Sequence, residues 1–188
     1  MPFEKEHQRR SVRLQNYPYA ERGFFFITIC THEKKCVLGR ITNYEIALSE
    51  VGRIVDGYWR DIPQHFPNVK LDQFTIMPNH LHGIIIISKV LPDESRGTAC
   101  RAPTVVDADY ERFGRPVAGS LPTIIRSFKS AVSKRVNELG NTNSPLWQRN
   151  YFEHVIRSEE SLNKIRNYIW ENPIHWTTDE YHAESRER

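Results

Sequence analysis

The sequence predicts an α+β domain of ferredoxin-like order, β-α-β-β-α-β, with an antiparallel sheet and one extra C-terminal helix, and three observations carry that reading. Two β-rich runs, Val69 to Met77 and His80 to Ser88, meet across the turn pair Pro78-Asn79, which makes an antiparallel hairpin. Apolar residues at helical spacing lie before and after that hairpin. A further β-rich run opens the pattern and another closes it. Two helices then cover one sheet face and leave the other free for a site.

The elements follow in order. Gly23 to Cys30, GFFFITIC, is a short aromatic and β-branched run, hence a strand. A brief second run lies around Cys36 to Ile41. Asn43 reads as the cap of a helix carrying Ile46, Leu48, Val51, Ile54, Val55 and Trp59, ending near Pro63. After the hairpin, residues 89–119 lose periodicity, hold three Pro and three Gly, and balance five acidic against five basic residues, the chemistry of a loop insertion. Leu121, Ile124, Ile125, Phe128, Val132, Val136 and Leu139 form the stripe of a second helix, closed by Gly140. Leu146 to Ile156 is a strand or extended segment. Ser158, with Glu159 and Glu160, starts the last helix, which runs to about Asn172 and stops at Pro173. Residues 1–22 read as a polar arm, 23–176 as one domain and 177–188 as a polar tail.

Composition narrows the functional classes. The 188 residues, 39% hydrophobic and 26% charged, suffice for one domain with a core and exclude a disordered chain. No apolar run reaches the roughly 20 residues that span a bilayer, and the start MPFEKEHQRR lacks a signal-peptide core, so the expectation is a cytoplasmic protein with no membrane partner. Three cysteines make no disulfide framework, and Cys30, His32 and Cys36 match no standard zinc spacing. The net charge of +3 is mild, yet six basic residues face two acidic ones between Ser120 and Arg157. Arg126, Lys129 and Lys134 are therefore the candidates for gripping a phosphate backbone.

The sharpest chemical signal is Met77-Pro78-Asn79-His80-Leu81-His82. Alternation along a strand puts His80 and His82 on one face, where both imidazoles can reach one cation. Tyr168 and Asn172 stand four apart in the last helix and share a face. Two imidazoles and an amide oxygen would leave a Mg²⁺ or Mn²⁺ ion open to a phosphate, with the Tyr168 phenol as nucleophile. Tyr151 is the rival phenol, without a liganding partner one helical turn away. Lys164 is a possible cationic neighbour of Tyr168, and Glu153 and His154 read as hydrogen-bonding support.

The His80-Leu81-His82 pair, the block Leu146-Trp147-Gln148-Arg149-Asn150-Tyr151-Phe152-Glu153-His154 with Arg157, and Tyr168-Ile169-x-x-Asn172-Pro173 together resemble the single-tyrosine HUH transposases. Within that superfamily the chain is most similar to the REP-associated tyrosine transposases. The resemblance implies a metal-dependent enzyme that cuts single-stranded DNA beside an imperfect hairpin and joins Tyr168 to the 5′ phosphate. His80, His82 and Asn172 would be the metal ligands, and the protein would act as a monomer or a homodimer. The contrasting reading is a non-catalytic single-stranded nucleic-acid binding module of RRM-like fold, with strand aromatics stacking bases.

Overall fold

The computed structural model describes residues 22–88, 117–140 and 145–182. The expected arm up to residue 21, the insertion over 89–116 and the chain end beyond 182 lie outside the described residues. Among the described residues six strands and four α-helices follow in order: β1 (Gly23–Cys30), β2 (Gly39–Thr42), β3 (Glu45–Leu48), α1 (Glu50–Arg60), α2 (Ile62–His65), β4 (Val69–Ile76), β5 (His80–Ile87), α3 (Leu121–Glu138), β6 (Phe152–Ile156) and α4 (Glu159–Glu171). The main sheet runs β4-β5-β1-β6 with every neighbouring pair antiparallel, the ferredoxin-like arrangement.

Alternation along the strands divides the sheet into two faces. Phe25, Ile27, Ile29, Leu81, Ile85 and Ile87 pack with Val55 and Trp59 of α1 and with Ile124, Phe128 and Val132 of α3 in the main core. Each large side chain sealed there contributes about 1.5–3 kcal/mol. Gly83 is required at this face, because a Cβ on it would lie 2.4 Å from Cζ2 of the buried Trp59. The opposite face carries Phe26, Ile84 and Ile156, which meet Leu162 and Ile169 of α4 in a smaller cluster. Helix α4 thus occupies the face expected to be free, and the histidines share that face with it.

One boundary differs from expectation. Asn43 does not cap a helix. With Tyr44 it forms the two-residue turn of the β2–β3 hairpin, both residues at positive φ (52° and 63°), so Ile46 and Leu48 belong to a strand. Asn suits left-handed backbone and helix caps alike, and the apolar spacing fits either element. The cap of α1 is Ser49, whose Oγ accepts from the Gly52 N–H at 3.0 Å. This helix ends at Arg60, close to Pro63 as expected. Pro63 itself sits in the first turn of the short α2, where its missing N–H costs nothing. The closing strand is only Phe152–Ile156, preceded by an extended lead. Ser158 caps α4 as expected, accepting from the Ser161 N–H.

Candidate active site

The Pro78-Asn79 turn delivers His80 to the first residue of β5, opposite Cys30, and His82 opposite Thr28. Both imidazoles are buried on the α4 face. Asn79 fixes the first ring. Its Nδ2 donates to the carbonyls of Lys34 and Tyr181, so its Oδ1 faces His80 Nδ1 at 2.8 Å as acceptor. In the neutral ring Nδ1 is therefore protonated and Nε2 keeps its lone pair, the arrangement a metal ligand needs. His82 Nδ1 lies 2.8 Å from Thr28 Oγ1. The two Nε2 atoms are 3.0 Å apart, close to the separation of two donors about 2.1 Å from one ion at right angles. Burial holds both rings neutral: His80 is well below the ordinary imidazole value, helped by His82 and Lys34, and His82 is pushed down to about 3 by burial.

The last helix brings the other groups. Tyr168 Oη is 3.2 Å from His82 Nε2, its ring meets Phe26 edge-on, and 42% of the residue remains exposed. Burial, then Asp179 and Glu180, push its phenol up to about 12, opposed by the Asn172 amide. Asn172 is buried beside these rings; Nδ2 donates to Asp179 Oδ2 at 3.0 Å, while Oδ1 is sealed from solvent without a hydrogen bond of normal geometry. A buried acceptor left this way suits a cation. Residues 177–182, expected as the start of a polar tail, lie across the histidines. A turn at Trp176–Thr178 places Asp179 against the rings, and its carboxylate with His80 and His82 forms the one group among the described residues whose donor atoms could converge on an ion, all within 4.8 Å. Tyr181 packs on His80 with ring centroids 4.7 Å apart.

No protein-family model matches the chain. An uncharacterized protein of Haemophilus influenzae is 39% identical over 178 residues, covering 95% of each chain. A solved REP-associated tyrosine transposase, bound to a REP hairpin, superposes with a TM-score of 0.53 at 15% identity, covering 87% of this chain and 72% of that one. The chain belongs to one family with the Haemophilus protein and has the REP-associated tyrosine transposase fold. Within this transposase fold, the histidines expected from the sequence meet the expected phenol and amide in one place.

Other expected residues lie elsewhere. Tyr151 packs against the main core, across the sheet from the histidines. Lys164 pairs with Glu160 at 2.6 Å on the exposed side of α4. Arg126 and Lys134 are exposed on α3, the layer opposite the histidine face, so they do not reach a phosphate held at Tyr168. Lys129 donates to the carbonyls of Gln148, Arg149 and Asn150, and burial pushes its ammonium down to about 8. It fastens the lead into β6. His154, expected as buried support, is exposed. Asn79, Thr28 and Asp179 are the groups that sequence reasoning missed. Only Asn79 carried a signal, its place directly before His80.

In this transposase fold α4 carries the nucleophile candidate, yet it seals only Leu162 and Ile169 fully against the sheet. A second fastening compensates. The register of β4 shifts between Leu71 and Phe74, and from that irregularity the Asp72 carboxylate takes a two-bond fork from Arg166, Nε to Oδ1 at 2.9 Å and Nη2 to Oδ2 at 2.5 Å. Arg166 is two residues from Tyr168. Asp72→Ala is expected to slow tyrosine-dependent chemistry about tenfold or more by loosening the phenol's position, at a stability cost of about 1 kcal/mol. The exchanged pair Asp72→Arg with Arg166→Asp should restore most of the rate in single-turnover kinetics.

The buried neutral histidines also set an acid limit. Unfolded, each ring takes a proton below pH of about 6.5, while the folded rings do not. The unfolded state then binds more protons, so stability is unchanged above that pH and falls below it, by up to about 2 kcal/mol per ring at pH 5. Thermal melts from pH 7.5 to 5 should show this decline, and replacing both histidines by glutamine should flatten it.

Proposed function

We propose that this protein cleaves and rejoins single-stranded DNA beside hairpins, using Tyr168 as nucleophile and a divalent cation, Mg²⁺ or Mn²⁺, held by His80, His82, Asp179 and the Oδ1 of Asn172. The observation that carries this reading is the 3.2 Å approach of the Tyr168 oxygen to His82 Nε2, beside a second imidazole whose tautomer is already set. A base-stacking module has no need of buried paired imidazoles aimed at a phenol. The donor set of two nitrogens, a carboxylate and an amide oxygen fits such a cation. Once bound, the cation supplies Lewis-acid stabilisation of the phosphate and favours phenolate over phenol.

The chain's residues do the rest. Tyr168 Oη attacks phosphorus, forming one O–P bond as the P–O3′ bond breaks. The phenol releases a proton to solvent through its open side, and the departing 3′ oxygen takes one up. Attack by a 3′ hydroxyl on the phosphotyrosine reverses the step and rejoins a strand. Burial pushes the Tyr168 phenol up to about 12, so at neutral pH the residue holds its proton and a bound cation would be needed to favour the phenolate. Among the described residues no helix is long and apolar enough to cross a membrane.

The test is a denaturing gel of the protein with hairpin-bearing single-stranded DNA. With Mn²⁺ or Mg²⁺ a covalent protein–DNA adduct and a fragment with a free 3′ hydroxyl are expected, both lost with chelator and both retained in Tyr151→Phe. Tight DNA binding with no adduct under either metal would instead favour the non-catalytic binding module.

A further inference from the structure

Resting on that reading of Tyr168, we propose that the exposed ring of Phe152 is the stacking platform for the nucleobase adjoining the phosphate that Tyr168 attacks. Phe152 opens β6, the edge strand, and is 47% exposed. Thr28 is the cross-strand partner of both His82 and Phe152, so the three side chains share the α4 face, with Phe152 two strands from His82, about 10 Å. The rings between them are continuous. Phe26 stacks on His82 (centroids 5.4 Å, 28°), stands edge-on to Tyr168 (6.0 Å) and edge-on to Phe152 (6.3 Å). Phe26 is buried and holds the row in place, while Phe152 offers its surface to solvent.

Direction follows from what covers the rest of this face. Toward β4 the sheet lies under α4, which is fastened there through Arg166 and Asp72. On β6 the same helix covers Ile156 but leaves Phe152 and His154 exposed, so the open ground for a base beside a phosphate at Tyr168 is the Phe152 end of β6. His154 comes next on the same face, opposite Phe26, and is exposed. Beyond it Arg22 and Arg157, both exposed, flank the paired ends of β1 and β6 and supply positive charge for the backbone. A lone exposed phenylalanine is ordinary. One that ends an aromatic row beginning at the nucleophile, on an open edge with guanidinium groups beyond, matches a single-strand subsite, in which any base can stack through its π face.

The experiment uses the full-length Tyr168→Phe protein and a DNA hairpin with a single-stranded flank of adenines, replaced one at a time by 2-aminopurine. Binding should quench fluorescence strongly at one position beside the cleavage point mapped with the wild-type protein. Adding Phe152→Ala should remove that quench and weaken binding about tenfold. Phe152→Trp should keep both, and with an abasic site at that position the proteins with and without Phe152→Ala should bind alike. Undiminished binding and quench in Phe152→Ala would overturn the platform while leaving the cleavage reading intact. Absence of any wild-type adduct would overturn that reading independently of the fluorescence.

Discussion

Tyr168→Phe is expected to abolish the covalent adduct, lowering its formation at least about 1,000-fold, with folding and DNA binding preserved. The substitution keeps the ring that packs edge-on against Phe26 and near His82 and removes only the oxygen. That oxygen is the atom that must join phosphorus, so no neighbouring group compensates. Tyr181 is close to the histidines, but its ring lies against His80 and burial with the Glu180 charge raises its phenol further than that of Tyr168. Gel quantification of adduct, with fluorescence anisotropy for binding and a melt for folding, checks all three parts. A Tyr168→Phe protein that still forms adduct at a comparable rate would remove Tyr168 from the chemistry.

His80→Ala is expected to have the next largest effect. It deletes one imidazole donor and strips Asn79 Oδ1 of its ring partner, leaving a buried acceptor unpaired at a cost of about 1–3 kcal/mol. Loss of a ligand should weaken divalent-cation binding at least about 100-fold, more than changes to an outer hydrogen bond do. Cleavage should fall at least about 1,000-fold, since several kcal/mol of charge stabilisation disappear. Calorimetric Mn²⁺ titration and single-turnover cleavage measure the two effects, and hairpin binding should persist. Equal loss of DNA binding would give His80 a structural role instead.

How much of this was legible in the sequence depended on distance along the chain. The hairpin that presents His80 and His82 is local, written in two β-rich runs and a Pro-Asn turn, and it folds as read. So do the cap at Ser158 and the four-residue spacing of Tyr168 and Asn172. Periodicity does not say which side of a sheet a helix covers, so only the structure shows that Arg126 and Lys134, the candidates for gripping a phosphate backbone, stand on α3 across the sheet from the histidines. Lys129 looked like a surface cation because its three carbonyl acceptors form a lead with no periodic signal. Asp179 and Tyr181 sit in a polar run whose docking depends on single distant contacts, such as Asn79 Nδ2 to the Tyr181 carbonyl and Lys34 Nζ to the Glu180 carbonyl. Asn43 was ambiguous because the same side chain serves caps and left-handed turns.

The decisive measurement is the position of DNA on the protein. Trypsin releases residues 167–186 as one peptide holding both Tyr168 and Tyr181, so fragmentation of the adduct peptide by tandem mass spectrometry distinguishes the two phenols. The residual nucleotide mass is expected on Tyr168 alone. Finding it on Tyr181 or Tyr151 would contradict the assignment of the nucleophile, and an enzyme that cuts hairpin DNA with no nucleotide on any tyrosine would contradict the mechanism itself.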